Sequence, residues 1–355
     1  MIDALGPLAT SALIFGGCCS NVYALEAILK HEPDSGLLIT LGQFIIVALS
    51  AYPSQSSTSP PLFLKKTKIP FRKLFLSSAM FFSVNMLNNW AFAFNISVPV
   101  HIILRSFGSV TTMAAGWLRG KRYTQLQVLS VVVLTVGVMI SAWADAVSKG
   151  KPLDTKVDLS EPSLGLGLAI LLVAQCLSSW MGVYVQDVYA EHGNHWDENL
   201  FYSHALSIPL FLPLAGTLRS QWASLAKTPP MPALAYSPFL PAILRQAFSK
   251  IPHAIVNLSV NAVTQLVCIT GVNLLGATSS AVTVTIVLNI RKLVSFMLSI
   301  WLFGNELSFL MGFGAFLVFA AGAGYGWETN VGIKRRAAKA KKQGANGKAT
   351  LKKEL

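Results

Sequence analysis

The sequence predicts an all-α membrane protein of about ten transmembrane helices, and three observations carry that expectation. Of its 355 residues, 53% are hydrophobic and only 12% charged, whereas a soluble domain usually carries about 25% charged residues. Apolar windows of roughly 17–25 residues, the length a hydrocarbon core requires, recur along the chain. The Lys and Arg residues also sort by the side of the membrane on which alternate connections would lie.

Taken in order, the windows fall at about 5–29, 35–53, 71–95, 97–118, 124–144, 163–188, 197–218, 252–272, 276–303 and 306–326. The first has no basic n-region and exceeds a signal-peptide core, so it reads as the first span. With the N-terminus cytosolic, that side collects Lys65, Lys66, Lys68, Arg72 and Lys73, then Arg119, Lys121 and Arg122. Nine more follow from Lys334 onward, which makes 17 of the 28 Lys and Arg residues. The opposite side receives eight: Lys30, Lys149, Lys151, Lys156, Arg219, Lys227, Arg245 and Lys250. This follows the positive-inside rule with both termini in the cytosol. The net charge of +13 is thereby topological and needs no nucleic acid to explain it. One connection departs from the rule, since 187–198 should be cytosolic yet holds no Lys or Arg. The run "KRRAAKAKK" in the tail is expected to lie against anionic headgroups of the lipid bilayer. All four cysteines (Cys18, Cys19, Cys176, Cys268) lie in apolar windows. They read as small buried hydrophobes, without a disulfide framework or a thiolate metal site.

The chain also reads as two copies of one unit. "GWLRGKRYT" (116–124) and "IWLFGNELS" (300–308) share Trp, Leu and Gly at a constant offset of 184, and each leads into another apolar window. Residues 1–145 and 163–327 would then be two five-helix repeats. An odd number of crossings inverts one against the other, as in secondary transporters with a midplane site. A polar luminal linker occupies 146–162, and 328–355 is a basic cytosolic tail, Lys-, Ala- and Gly-rich, that reads as disordered. The Pro-rich 219–250 connection is open to a place on the membrane surface.

Three cations account for the remainder of the 28: Arg105, Arg291 and Lys292, all inside predicted spans. On a helix, Thr278, Thr285, Asn289, Lys292, Ser295 and Ser299 form one polar stripe, with Arg291 beside it. Ser97, His101, Arg105, Ser109 and Thr112 form the equivalent stripe in the first half. A charge at the bilayer centre costs roughly 2.5–3.5 kcal/mol on insertion scales. Snorkelling relieves that cost near a helix end, but Arg291 and Lys292 lie about eleven residues, roughly 16 Å, from the nearer end of their span. Pairing with carboxylates is limited by supply, because Glu26 is the one carboxylate well inside a span. A water-filled cavity awaiting an anion is the third reading, with Arg as a bidentate phosphate fork and Lys as a point charge.

The run "GATSSAVTVTIVLNIRKLVSFMLSIWLFG" (276–304) resembles the ninth helix of nucleotide-sugar transporters, in particular the branch carrying UDP-N-acetylglucosamine and UDP-xylose. "NNWAFAFNISVPVHIILRS" (88–106) and "HWDENLFYSHALSIPLF" (195–211) resemble the same branch. The resemblance implies the ten-helix drug/metabolite transporter fold, no enzymatic activity and no cofactor. It also implies exchange of a UDP-sugar, UDP-N-acetylglucosamine first, for UMP, with transport from cytosol into the lumen of the endoplasmic reticulum or Golgi. By position, the Asn-Lys pair of related GDP-mannose carriers falls on Arg291 and Lys292. Their Phe-Tyr-Asn-Asn motif falls on "FYSH", so Ser203 and His204 stand where those carriers contact guanine. That departure argues against guanine and fits uracil, with Tyr202 stacking alongside.

Asn88, Asn89, Gln43, Gln175 and Gln265 are open to two roles, substrate contact or interhelical hydrogen bonding worth about 0.6 kcal/mol on average. Asn88 and Asn89 gain weight from lying in the resembling stretch. The acidic loop "EHGNHWDE" (191–198) reads as solvated charge before it reads as a metal site. The terminal "LKKEL" resembles a luminal retention address, but a cytosolic tail instead makes Lys352 and Lys353 a dilysine retrieval signal for a coat. A homodimer is left open. Two rival functions remain: an exporter of cationic or lipophilic compounds on this fold, which predicts an intramembrane carboxylate, and a membrane-embedded sugar transferase, which predicts paired carboxylates.

Overall fold

The computed structural model describes residues 6–29, 32–58, 63–91, 104–105, 107–148, 162–230, 246, 250–303, 308–336 and 338. Among the described residues there are helices and turns and no strand. The helices are Pro7–Ala12 (α1), Cys18–Leu29 (α2), Gly36–Gln55 (α3), Phe71–Ala91 (α4), Gly108–Leu118 (α5), Gln125–Ser148 (α6), Pro162–His192 (α7), Trp196–Ala205 (α8), Ala215–Ala226 (α9), His253–Thr278 (α10), Ala281–Phe303 (α11) and Phe309–Trp327 (α12).

Seven stretches of the described residues are long and apolar enough to cross a membrane: Leu8–Leu29, Gly36–Gln55, Gln125–Ala144, Leu166–His192, Trp196–Ala226, His253–Thr278 and Phe309–Arg336. The windows predicted at 71–95, 97–118 and 276–303 are not among them. The first of these is helical as α4, but Ser77, Ser78, Asn85, Asn88 and Asn89 dilute its apolar content. The 97–118 window falls partly outside the described residues, as do most of the 146–162 linker and the tail with Lys352 and Lys353; 276–303 is helical from Ala281 to Phe303, with the side chains of 295–303 outside the description. The 197–218 window is interrupted, because Pro209 and Pro213 cannot donate to a helical ladder. A 3₁₀ stretch at Ile208–Leu214 therefore separates α8 from α9. The eighth window extends past its predicted end to Thr278, and α11 starts anew where Ser280 Oγ accepts from the Thr283 amide (3.2 Å), a helix N-cap.

The chain divides into two compact units, each drawing on both halves of the sequence. Unit 1 comprises Met1–Ile96 and Asp158–Val284; unit 2 comprises Ser97–Val157 and Thr285–Leu355.

In unit 1, α2 and α3 both pack on α10. Between α1 and α2 the helix widens to a π turn at Leu13–Gly17, and the backbones come together there. A Cβ on Gly17 would lie 2.6 Å from the Cys268 amide nitrogen, and one on Gly271 would lie 2.9 Å from Leu13 and Ile14 side chains. That approach brings Cys18 against Cys268, and the two form a disulfide across 250 residues of sequence. The expectation of four unpaired thiols is therefore corrected: glycine-permitted proximity pairs two of them, while Cys19 and Cys176 remain thiols. Nearby, Asn21 Nδ2 donates to the Asn261 carbonyl (2.8 Å), Asn261 Nδ2 returns to the Asn21 carbonyl (3.2 Å), and Gln43 Nε2 donates to Asn261 Oδ1 (2.7 Å). Gln43 thus acts as interhelical glue.

In unit 2, α6 packs along α12. The crossing needs two small residues: a Cβ on Gly137 would lie 2.8 Å from the Gly314 carbonyl oxygen, and one on Gly314 2.7 Å from that of Gly137. Lipid supplies no hydrophobic drive between helices, so close backbone packing carries the association. We expect Gly137→Val or Gly314→Val to cost about 1–3 kcal/mol by overpacking. Both should lower the thermal midpoint in detergent, while Gly216→Val, at a position with open space, leaves it unchanged.

Candidate functional site

The three cations that the sequence places inside predicted spans gather in unit 2. Arg291 and Lys292 lie in α11, and Arg105 lies in helical backbone ahead of α5. All three are partly buried. Lys292 feels the charges of Arg105 and Arg291, and Arg105 that of Arg291. Lys292 Nζ donates to Asn289 Oδ1 (3.2 Å), one helical turn back, and Asn289 Nδ2 donates to Ser109 Oγ of α5 (3.1 Å). Asn289 is 3% exposed and Ser109 0%. Segments 97–118 and 276–303 contain no Asp or Glu, so these helices bring no anion of their own. Like charges gathered in a poor dielectric repel strongly. An anion entering among them is favoured, and a phosphate matches both a guanidinium fork and an ammonium. His101, Ser97 and the side chains of Ser295 and Ser299 lie outside the described residues.

The other expected site residues lie in unit 1. Tyr202, Ser203 and His204 lie on α8 and are buried. His204 Nδ1 is 2.8 Å from the Leu200 carbonyl and 3.1 Å from Ser203 Oγ, and Ser203 Oγ donates to the same carbonyl (3.2 Å). The imidazole lies against Phe44 and Phe81 at centroid distances of 5.1 and 4.9 Å. Tyr202 meets the Phe71 ring edge-on at 6.3 Å. The sequence expects these residues to face substrate, whereas here they are enclosed by α3 and α4 and bonded within their own helix. Asn88 Nδ2 donates to the Val84 carbonyl of its own helix (2.7 Å), and Asn89 Nδ2 to Thr40 Oγ1 of α3 (2.9 Å). Asn89 therefore ties α4 to α3.

The sequence missed what the acidic loop does. Glu198, expected as solvated charge, is 4% exposed. Its carboxylate accepts from the Lys68 amide (2.9 and 3.1 Å) and from the Ile69 amide (3.0 Å). Gln55 Nε2 donates to Asp197 Oδ2 (2.9 Å), and Lys73 pairs with Glu191. The loop after α3 and the loop after α7 thus meet at one end of unit 1. The single signal in the sequence was the shortage of basic residues in 187–198. The acidic groups are met instead by neutral N–H donors of Gln55, Lys68 and Ile69 and by Lys73 at the start of α4. Next to Glu198, Asn199 Oδ1 accepts from Ser77 Oγ (3.0 Å) and its Nδ2 donates to Asn273 Oδ1 (3.3 Å), joining α4, α8 and α10. Among the described residues there is no cluster of three or more His, Cys, Asp or Glu that could hold a metal.

Residues 7–326 match the model of the UAA transporter family. The chain belongs to the UAA transporter family. It is 44% identical over 315 residues to the UDP-N-acetylglucosamine transporter of Schizosaccharomyces pombe, covering 88% of this chain and 93% of that one. The endoplasmic reticulum GDP-fucose transporter of Drosophila melanogaster is 35% identical, with 86% of each covered. The UDP-xylose and UDP-N-acetylglucosamine transporter of Danio rerio is 33% identical, over 89% of this chain and 92% of that one. A solved crystal structure shares the fold at a TM-score of 0.58 and 9% identity, over 89% of this chain and 96% of its own. Membership makes the protein a transporter and not an enzyme, which removes the transferase reading.

Glu198→Gln keeps the shape of the side chain but loses its charge. Hydrogen bonds to a charged group contribute about 1.5–3 kcal/mol, so amide exchange at Lys68 and Ile69 should accelerate by about tenfold or more, read by hydrogen-exchange mass spectrometry in detergent.

Proposed function

We propose that this protein is a nucleotide-sugar antiporter that carries a UDP-sugar, UDP-N-acetylglucosamine first, from the cytosol into the lumen of the endoplasmic reticulum or Golgi in exchange for UMP. The observation that carries the reading is the gathering of Arg105, Arg291 and Lys292 on helices without a carboxylate. Such a cluster suits a diphosphate, and it is the opposite of what an exporter of cations needs. The relatives named for UDP-N-acetylglucosamine support the choice of substrate. The GDP-fucose relative keeps guanine as the competing base, so the base is to be tested directly.

The architecture belongs to the same proposal: ten spanning helices in two inverted five-helix repeats, 1–145 and 163–327, that work by alternating access. Two of the three cuts between the compact units fall at Ile96 and Val284, 188 residues apart, close to the 184-residue offset of the matching segments. That agreement supports a duplication. Both termini are placed in the cytosol, with the 146–162 linker in the lumen. Support comes from the meeting of the loops after α3 and α7, which this topology puts on one side. In unit 2, Gln127 at the start of α6 likewise donates from Nε2 to Thr329 Oγ1 (3.1 Å), past the end of α12. Lys352 and Lys353 would then recruit a retrieval coat.

Base selectivity is assigned to Tyr202, Ser203 and His204. In the present conformation the polar atoms of Ser203 and His204 engage the Leu200 carbonyl, so contact with a base requires those bonds to open.

Counterflow in liposomes tests both halves of the reading. Lys292→Ala and Arg291→Ala should each reduce UDP-N-acetylglucosamine uptake at least about tenfold, the loss expected for a bond between charged groups, with insertion unimpaired. Near-normal uptake by both variants would overturn the phosphate assignment. UMP should compete far better than GMP, and Ser203→Asn with His204→Asn should erode that preference; a wild-type protein indifferent to the base, or a double variant that keeps the preference whole, would overturn the selectivity assignment.

A further inference from the structure

Lys292 is tethered through two hydrogen bonds that contain no charge but its own. An ammonium can only donate, so it faces the oxygen of the Asn289 amide, and the amide nitrogen must then find an acceptor elsewhere. Ser109 Oγ is that acceptor, on a different helix of the same unit. Both side chains are buried, so water does not substitute for either one. Lys292 thereby fixes which way the amide points, and Ser109 locks that orientation.

We infer that Ser109 and Asn289 are positioning residues, which hold the Lys292 ammonium in place for phosphate while leaving its charge whole. The inference rests on the phosphate reading above, and it gives Asn289, which the sequence offers as a substrate-binding member of the polar stripe, the role of supporting the residue that makes the contact. The flexible four-carbon stem of Lys292 would otherwise let the ammonium retreat from Arg105 and Arg291, whose charges it feels. A carboxylate at position 289 would hold it more strongly, but would cancel the charge a phosphate needs. An amide holds it without doing so, and two of the three ammonium donors stay available for phosphate oxygens.

The experiment is inhibition of UDP-N-acetylglucosamine counterflow by UMP and by uridine, with the full chain in liposomes. UMP differs from uridine by the phosphate, so the ratio of their inhibition constants isolates the phosphate contribution. Asn289→Asp and Asn289→Leu should each shrink the UMP advantage by about tenfold or more, the effect expected when a hydrogen bond at a charged group is lost or neutralised. Inhibition by uridine itself should be unchanged. Ser109→Ala should act in the same direction, and combining it with Asn289→Leu should add little, because both act through one ammonium. Asn289→Ser serves where Leu or Asp fails to insert. An unchanged ratio in the Asn289 variants, or parallel weakening of UMP and uridine, would overturn the inference and make Asn289 a packing residue or a contact for base or ribose. A ratio that does not move in Lys292→Ala would instead overturn the phosphate reading, and the tether's role with it.

Discussion

Inside a bilayer a polar group has only the protein to bond with, and the rest of this structure depends on how that constraint is met. Asn21 and Asn261 exchange side-chain amides for backbone carbonyls, and Gln43 reaches the same asparagine. Asn89 reaches Thr40, and Asn199 joins Ser77 to Asn273. Each bond ties two helices together where apolar burial cannot, because lipid tails are as apolar as the side chains they touch. Gly17 and Gly271 bring the backbone of the first span close to α10, the helix that carries Asn261.

The three cations of unit 2 add a demand of their own, because they carry charge as well as polarity. A neutral amide can fix the position of an ammonium, but it cannot neutralise it. Their own segments, 97–118 and 276–303, lack Asp and Glu, which is why the proposed function gives them an anion to bind. An exchange reaction suits such a site. In the exchange proposed above, an arriving anion would replace a departing one. The vacant carrier would be the less favourable form to carry through a conformational change, because like charges repel in a poor dielectric.

Much of the fold was legible because apolar length is a strong local signal. Where it failed, the physical reason is specific. The polar residues of α4 blur its hydropathy although they hold it to α3 and α8, and Pro209 and Pro213 divide a window that composition alone reads as continuous. The cations were legible because charge inside an apolar run stands out without any knowledge of contacts. The Cys18–Cys268 pairing was not, since it depends on an approach permitted by Gly17 and Gly271, and nothing in the spacing announces which glycines will meet. Glu198 was misread for a similar reason. A carboxylate in an acidic loop is ordinarily hydrated, and its burial depends on backbone amides about 130 residues away. The stripe on α11 was visible, but the Lys292–Asn289–Ser109 chain of hydrogen bonds within and beyond it was not, because it depends on where α5 places Ser109.

The clamp between Asn21 and Asn261 also bears on how the protein is made. The two asparagines are 240 residues apart, and a ribosome adds about 5–20 residues per second. The first helix therefore enters the membrane on the order of tens of seconds before its partner exists. Through that interval the Asn21 amide has no native acceptor. The first span of this transporter completes its assembly among the last, and order of synthesis and order of folding part company at a single side chain.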